Sequence, residues 1–167
     1  SLLPILKRLR ADGSPARLWL IGDGSERDSL EATAAELGVT GHVTFWGYRN
    51  DVEEILRKAD IFVLPSLTEG SPLALGEAMG CRLPAVSSDV GGCGEMIEHG
   101  RSGFLVPRLE EAPFVDAVRA LWEMGPDGRR RIGERAREAV IERCDPRRYV
   151  ARLEEFYDSL TTTVSKK

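Results

Sequence analysis

The sequence predicts an α/β fold: a Rossmann-like, doubly wound parallel sheet with helices on both faces and a helical C-terminal segment. Three observations carry this. Short apolar runs alternate with stretches of helical periodicity up to residue 106. The connections between them are short, so successive strands are joined through helices, which makes the strands parallel and covers both faces of the sheet. Glycine makes up 17 of 167 residues, above the usual ~7%, and concentrates in the loops that leave the strands.

The elements follow in order. Residues 2–10 (LLPILKRLR) read as a helix and 17–21 (RLWLI) as a strand ended by Gly22. Residues 26–37 form a helix with Ser25 as its N-cap, acidic residues in the first turn and Gly38 at its end. His42 to Trp46 is a strand ended by Gly47, and Asn50 opens a short helix over 51–58. Residues 60–64 (DIFVL) are a strand closed by Pro65; 72–81 are helical; 84–87 are a strand. Residues 95–99 read as a short helix and 103–106 (GFLV) as a strand. From 110 onward the pattern is helical, punctuated by Gly125-Pro126 and Asp145-Pro146. Phe114, Val115, Val118, Leu121 and Trp122 mark one apolar face; Tyr149, Val150, Leu153, Phe156, Tyr157 and Leu160 mark another. These stripes, with all three Trp, read as core.

Composition sets limits. With 42% apolar and 30% charged residues the chain is globular rather than disordered. A net charge of 23 − 27 = −4 excludes a broad nucleic-acid surface. No apolar run reaches the ~18 residues of a membrane span. Three cysteines without paired spacing, and no secretory leader, point to a reducing, cytoplasmic setting. The chain starts at Ser1 inside an apolar stretch and is expected to be one domain (1–167) of something longer. No metal site is expected, because DxD is absent and neither His42 nor His99 has a ligand-spaced partner. Gly22-x-Gly24 lacks the third glycine of a dinucleotide fingerprint, Arg27 standing there, and neither a P-loop nor GxSxG occurs. Arg129-Arg130-Arg131 reads as a solvated helix face, the alternative being peripheral contact with acidic lipid head groups.

Ligands of doubly wound sheets bind beyond the carboxyl ends of the strands. Four loops leave that edge: Gly22 to Ser25, Gly47 to Asn50, Ser66 to Pro72 and Ser88 to Gly92, and all four contain glycine. Four such loops on one edge favour a cleft, although Gly22-Asp23-Gly24 alone reads equally well as a bare turn. In PSLTEGSPLALGEAMG (65–80), Ser71 suits a cap and Pro72 the first helical position. The amides of Leu73, Ala74 and Leu75 then form an anion-binding helix start. Glu69 lies just before it. On a helical wheel Ala74, Leu75, Ala78, Met79 and Cys81 form the buried stripe, while Glu77 falls at about 40° beside Gly76 and Gly80. Two glycines there suit a ligand lying close, with Glu77 accepting from a ribose diol. The alternative is that Glu69 and Glu77 are surface residues.

The segment 65–80 together with SSDVGGCGE (87–95) resembles the E-x7-E signature and the following GG-x-x-E of the retaining family-four glycosyltransferases (glycosyl transferases group 1), which have the GT-B fold. Residues 18–66 and 99–106 are similar to that family as well. The resemblance implies the C-terminal, donor-binding domain of such an enzyme, with its first strand and N-terminal acceptor domain absent. It implies Glu77 on the ribose, Glu69 on the donor sugar as the catalytic residue, and Gly70, Ser71, Pro72, Leu73 and Ala74 around sugar and diphosphate. Tyr48 and Arg49 would line the base site, and Asp89, Gly91, Gly92 and Glu95 the next wall, with Gly22 and Gly24 also counted as substrate-binding. The implied donor is a nucleotide-diphosphate sugar, with no cofactor. Arg82 and Gly80 depart from the family pattern, which has a small residue and Ala there. A nucleotide-sugar epimerase of the same fold and a non-catalytic binding module are the competing readings, with a redox Rossmann domain further off.

Overall fold

The computed structural model describes residues 2–108 and 110–164, with side chains through residue 158. Helix α1 (Leu2–Ala11) leads into β1 (Leu18–Ile21), α2 (Arg27–Glu36), a 3-10 turn over Thr40–His42 and β2 (Val43–Gly47). Then follow α3 (Val52–Leu56), β3 (Phe62–Leu64), α4 (Leu73–Gly80), β4 (Ala85–Ser88), α5 (Cys93–Met96) and β5 (Gly103–Val106). Three helices close the chain: α6 (Glu111–Glu123), α7 (Gly125–Cys144) and α8 (Pro146–Val164).

All strand pairs are parallel, as the alternation requires. The hydrogen-bonded strands form two ladders, β1-β2 and β3-β4-β5, where the sequence suggested one sheet. Helix α1 holds the two together. Leu3 and Leu6 pack with Ala34, Leu18 and Val43 over the first ladder. Ile5 and Leu9, on the other side of the same helix, join Val63, Val86, Val106 and α6 over the second. β1 and β3 are wholly apolar in sequence, yet each is only half-buried.

The second ladder is packed on both faces, with β4 fully buried and β3 half-buried. Val63, Val86 and Val106 face α1 and α6, whereas Phe62, Leu64, Ala85 and Leu105 face α4, α5 and α7. This two-sided burial is why these strands read as continuous apolar runs without polar alternation. Cys93 is fully buried in the α4–α5–α7 layer, and that burial pushes its thiol up from the ordinary range. Cys144 is exposed.

Several local expectations are corrected. Ser25 does not cap α2: Glu26 holds that position, with no side-chain bond. Asp51, not Asn50, opens α3. The short helix expected at 95–99 forms at Cys93–Met96, and His99 instead bonds the backbone of Leu105 through Nδ1. Not all tryptophans are core. β2 is an edge strand, so Trp46, edge-to-face with Trp19 at 5.9 Å, keeps an open side. Trp122 is 44% exposed, with the Arg129 guanidinium over its ring 4.8 Å from the centroid. Arg129 is itself buried and bonds the Trp122 carbonyl, so the arginine run is not one solvated face. The α8 stripe is exposed through Tyr157; the Leu160 side chain lies outside the described residues.

Arg82 adopts φ 64°, the left-handed conformation that favours glycine, in the turn after α4. Helix α7 passes so close to this turn that a Cβ on Gly133 would stand 1.9 Å from the Arg82 carbonyl oxygen. Backbone on both sides leaves nothing to move aside. Gly133→Ala is therefore expected to lower unfolding free energy by about 1–3 kcal/mol in urea denaturation, as overpacking does. Arg82→Gly, which removes the strain and only an exposed ion pair to Glu134, should leave stability unchanged or raise it.

Candidate functional site

The four glycine loops are joined in two pairs. The Gly22 amide donates to the Gly47 carbonyl at 2.9 Å, tying the exits of β1 and β2 together. The exits of β3 and β4 meet more tightly. The Gly92 amide donates to the Glu69 carbonyl at 3.2 Å. A Cβ on Gly91, whose φ is +46°, would stand 1.8 Å from that same oxygen, and one on Gly92 would stand 2.6 Å from the Gly70 carbonyl oxygen. Only glycine allows the two loops this backbone-to-backbone approach. The Asp89 amide anchors the second loop to β5 through the Val106 carbonyl at 2.8 Å.

Pinned in this way, the 66–72 loop delivers the chain into α4. The expected Ser71 cap does not form. Pro72 occupies the cap position, with no side-chain bond, and the Leu73 amide turns back to the Ser71 carbonyl at 2.9 Å. Among the described residues no acceptor takes the amides of Ala74 and Leu75, which lie at the positive end of the helix dipole. The Glu69 carboxylate accepts from the Ser66 hydroxyl at 2.6 Å, a contact that fixes its direction inside the loop. Sequence reading missed Ser66, although its spacing of three residues from Glu69 is a local turn signal.

Helix α4 buries Leu75, Ala78 and Met79 and leaves Leu73, Ala74 and Glu77 exposed. Two expectations change here. Ala74 belongs to the open face and not to the core. Gly76 makes room for protein: a Cβ there would stand 3.2 Å from the Met96 methyl of α5. A Cβ on Gly80 would meet nothing within 4 Å. Cys81 is half-buried.

The remaining candidates are distributed as follows. Tyr48 is exposed beside Arg49. The Arg49 guanidinium forks the Asp51 carboxylate with bonds of 2.7 and 2.5 Å and lies over Trp46. The hydrogen bond from Arg49 draws the Asp51 carboxyl below its ordinary range. Gly24 closes a tight turn, its amide bonded to the Asp23 carboxylate at 2.9 Å. The Asp89 carboxylate lies over Gly94 at the start of α5. Glu95 is directed elsewhere: it pairs with Arg143 of α7 at 2.9 Å. Two cations escaped the sequence reading. Arg27 of α2 reaches the exit of β2, lying over Phe45 with an amino group 3.3 Å from the place of a Gly47 Cβ. Arg108, after β5, extends over the 66–72 loop to the Leu67 carbonyl at 3.4 Å. The only sequence signal for either was its place near a strand exit. Among the described residues no group of three or more His, Cys, Asp and Glu is arranged to hold a metal ion.

A parallel α/β domain with glycine loops gathered at the carboxyl edge and an open helix start among them has the architecture of nucleotide-binding domains. The family model for glycosyl transferases group 1 matches residues 1–124, and the chain belongs to that family. It is 34% identical over 143 residues to N-acetyl-alpha-D-glucosaminyl L-malate synthase of Bacillus anthracis, covering 85% of this chain and 37% of that protein. It is 33% identical over 126 residues to the lipopolysaccharide core biosynthesis glycosyltransferase LpsE of Rhizobium meliloti, covering 74% of this chain and 36% of that protein. Among solved structures, HepE of Anabaena in complex with UDP superposes with a TM-score of 0.82 at 26% identity, over 93% of this chain and 44% of that one. HepE has also been crystallised with UDP-glucose. The chain thus spans little more than a third of the length of the curated relatives it matches.

The loop lock gives a direct test. Gly91→Ala, which combines a left-handed φ with a contact to immovable backbone, is expected to cost about 2–4 kcal/mol in thermal or urea unfolding. Gly24→Ala, with ordinary φ and open space, should cost under about 1 kcal/mol.

Proposed function

We propose that this chain is the donor-binding domain of a retaining glycosyltransferase and takes a nucleoside-diphosphate sugar at the carboxyl edge of its strands. The observation that carries the reading is the pair of free amides at Ala74 and Leu75, held open by a loop locked through Gly91 and Gly92. Those amides would receive the diphosphate, for which the helix dipole supplies a matched charge. Glu77, one turn on and on the same exposed face as Ala74, would accept from the ribose diol. Glu69, oriented by Ser66, would hold the donor sugar together with Gly70, Ser71 and Leu73. Tyr48 and Arg49 would border the base.

In the whole enzyme the reaction would transfer a hexosyl group to an acceptor hydroxyl with retention, without metal, at a cytoplasmic site. Negative charge builds on the departing diphosphate in the transition state, and fixed amides facing it lower the barrier. The acceptor would come from an N-terminal domain of the parent polypeptide. The half-buried apolar strands β1 and β3, on separate ladders bridged by α1, are compatible with a further strand between them. The isolated chain, with half a cleft, should bind donor weakly and transfer nothing. No helix among the described residues is long and apolar enough to cross a membrane.

Calorimetric titration of the chain with UDP, GDP and ADP tests this. One of the three should bind, and Glu77→Gln should weaken that binding about tenfold or more, the worth of a charge-assisted hydrogen bond, with the melting temperature unchanged. Binding of none of the three, or equal binding by the variant, contradicts the reading.

A further inference from the structure

The cations at the carboxyl edge of the strands differ in what they meet. Arg27, which reaches the exit of β2, pairs with Glu31 at 2.9 Å. Arg49, in the loop after β2, forks the Asp51 carboxylate. Arg108, which follows Pro107 at the exit of β5, meets no carboxylate among the described residues. Its guanidinium reaches the Leu67 carbonyl at 3.4 Å, longer than an ordinary N–H···O bond, and its side chain is exposed.

That contact places a charge at one end of the site. β4 lies between β3 and β5 in the sheet, so the side chain spans the exit of β4 to reach the loop that leaves β3. Leu67 stands two residues before Glu69. An ion pair with Glu69 would be the simplest use for a guanidinium there, but that carboxylate is engaged by the Ser66 hydroxyl at 2.6 Å. The arginine is thus left charged, beside the residue that the donor reading puts on the sugar. Its planar fork of N–H donors matches the two oxygens of a carboxylate, and it stays protonated throughout the working pH range. The diphosphate has its own donors in the amides of Ala74 and Leu75, so the oxyanion for Arg108 lies beyond it, on the sugar.

We propose that Arg108 is a specificity-determining residue that pairs with a carboxylate on the transferred sugar, which makes a nucleoside-diphosphate uronic acid the donor class of this site. The inference rests on the donor reading above and narrows it. A neutral hexose carries a hydroxymethyl group in place of that carboxylate and gains no charge pairing from the arginine.

Calorimetric titration of the 167-residue chain at low salt tests this, with UDP, UDP-glucose and UDP-glucuronate, or the matching guanosine or adenosine set where that is the base it takes. The uronate should bind about tenfold tighter than the neutral sugar, the scale of a charge-assisted fork, and the preference should shrink as salt is raised. Arg108→Gln should bring the two sugars to equal affinity, with bare nucleotide binding and the melting temperature unchanged, because the side chain is exposed. Arg108→Lys, which keeps the charge and loses the fork, should retain part of the preference. Bare nucleotide binding with no preference for the uronate overturns this proposal and leaves the donor reading standing. So does a preference that survives Arg108→Gln. A chain that binds no nucleotide of the three overturns both.

Discussion

The contact on which the site depends is the approach of Gly91 and Gly92 to the carbonyls of Glu69 and Gly70. Strand exits in a parallel sheet share an edge but need not touch. Here two of them are fused by backbone, at separations no Cβ would tolerate. The Glu69 loop cannot swing away from β4, and α4 must begin where that loop delivers it. The direction of the α4 dipole is thus set by two residues without side chains, each 22 positions beyond the loop residue it touches. The catalytic machinery proposed for the cleft is positioned by scaffold, in the sense that its geometry exists before any ligand arrives.

Much of the fold was legible because burial on both faces leaves a plain mark. Phe62-Val63-Leu64 and Ala85-Val86 are apolar without alternation, which only a covered parallel strand requires. The punctuation by Gly22, Gly47 and Pro65 fixed where the strands end. What failed was local. Helix α4 offers Leu, Ala, Gly, Ala, Met and Gly on nearly every side, so a wheel has little polar contrast with which to separate the core face from the open one. Ala74 and Gly76 were misplaced for that reason: one faces outward, and the other admits Met96. The caps went wrong because Ser25, Asn50 and Ser71 are each next to a position the backbone uses instead, and spacing alone does not resolve one residue.

Other features rest on distant contacts that no window of sequence contains. Gly133 reads as an unremarkable helical glycine until α7 meets the Arg82 turn. Arg129 looks like its neighbours Arg130 and Arg131 but is drawn inward by Trp122 and Asp60. Helix α1 looks like an ordinary amphipathic helix, yet its two apolar sides serve different ladders, which it bridges together with Ala16. The α8 stripe has the period of a core helix, yet its described side chains are exposed, which no window of sequence states.

The central claim is that the locked loops present the α4 amides to a diphosphate. Residue-resolved amide hydrogen exchange, with and without saturating UDP, addresses it most directly. The Gly92 amide, already bonded to Glu69, should be protected in both states, while the amides of Ala74 and Leu75 should exchange freely alone and slow markedly with nucleotide. Unchanged exchange at 74 and 75 alongside protection that develops elsewhere on the chain, or a Gly92 amide that exchanges freely from the start, would contradict the account.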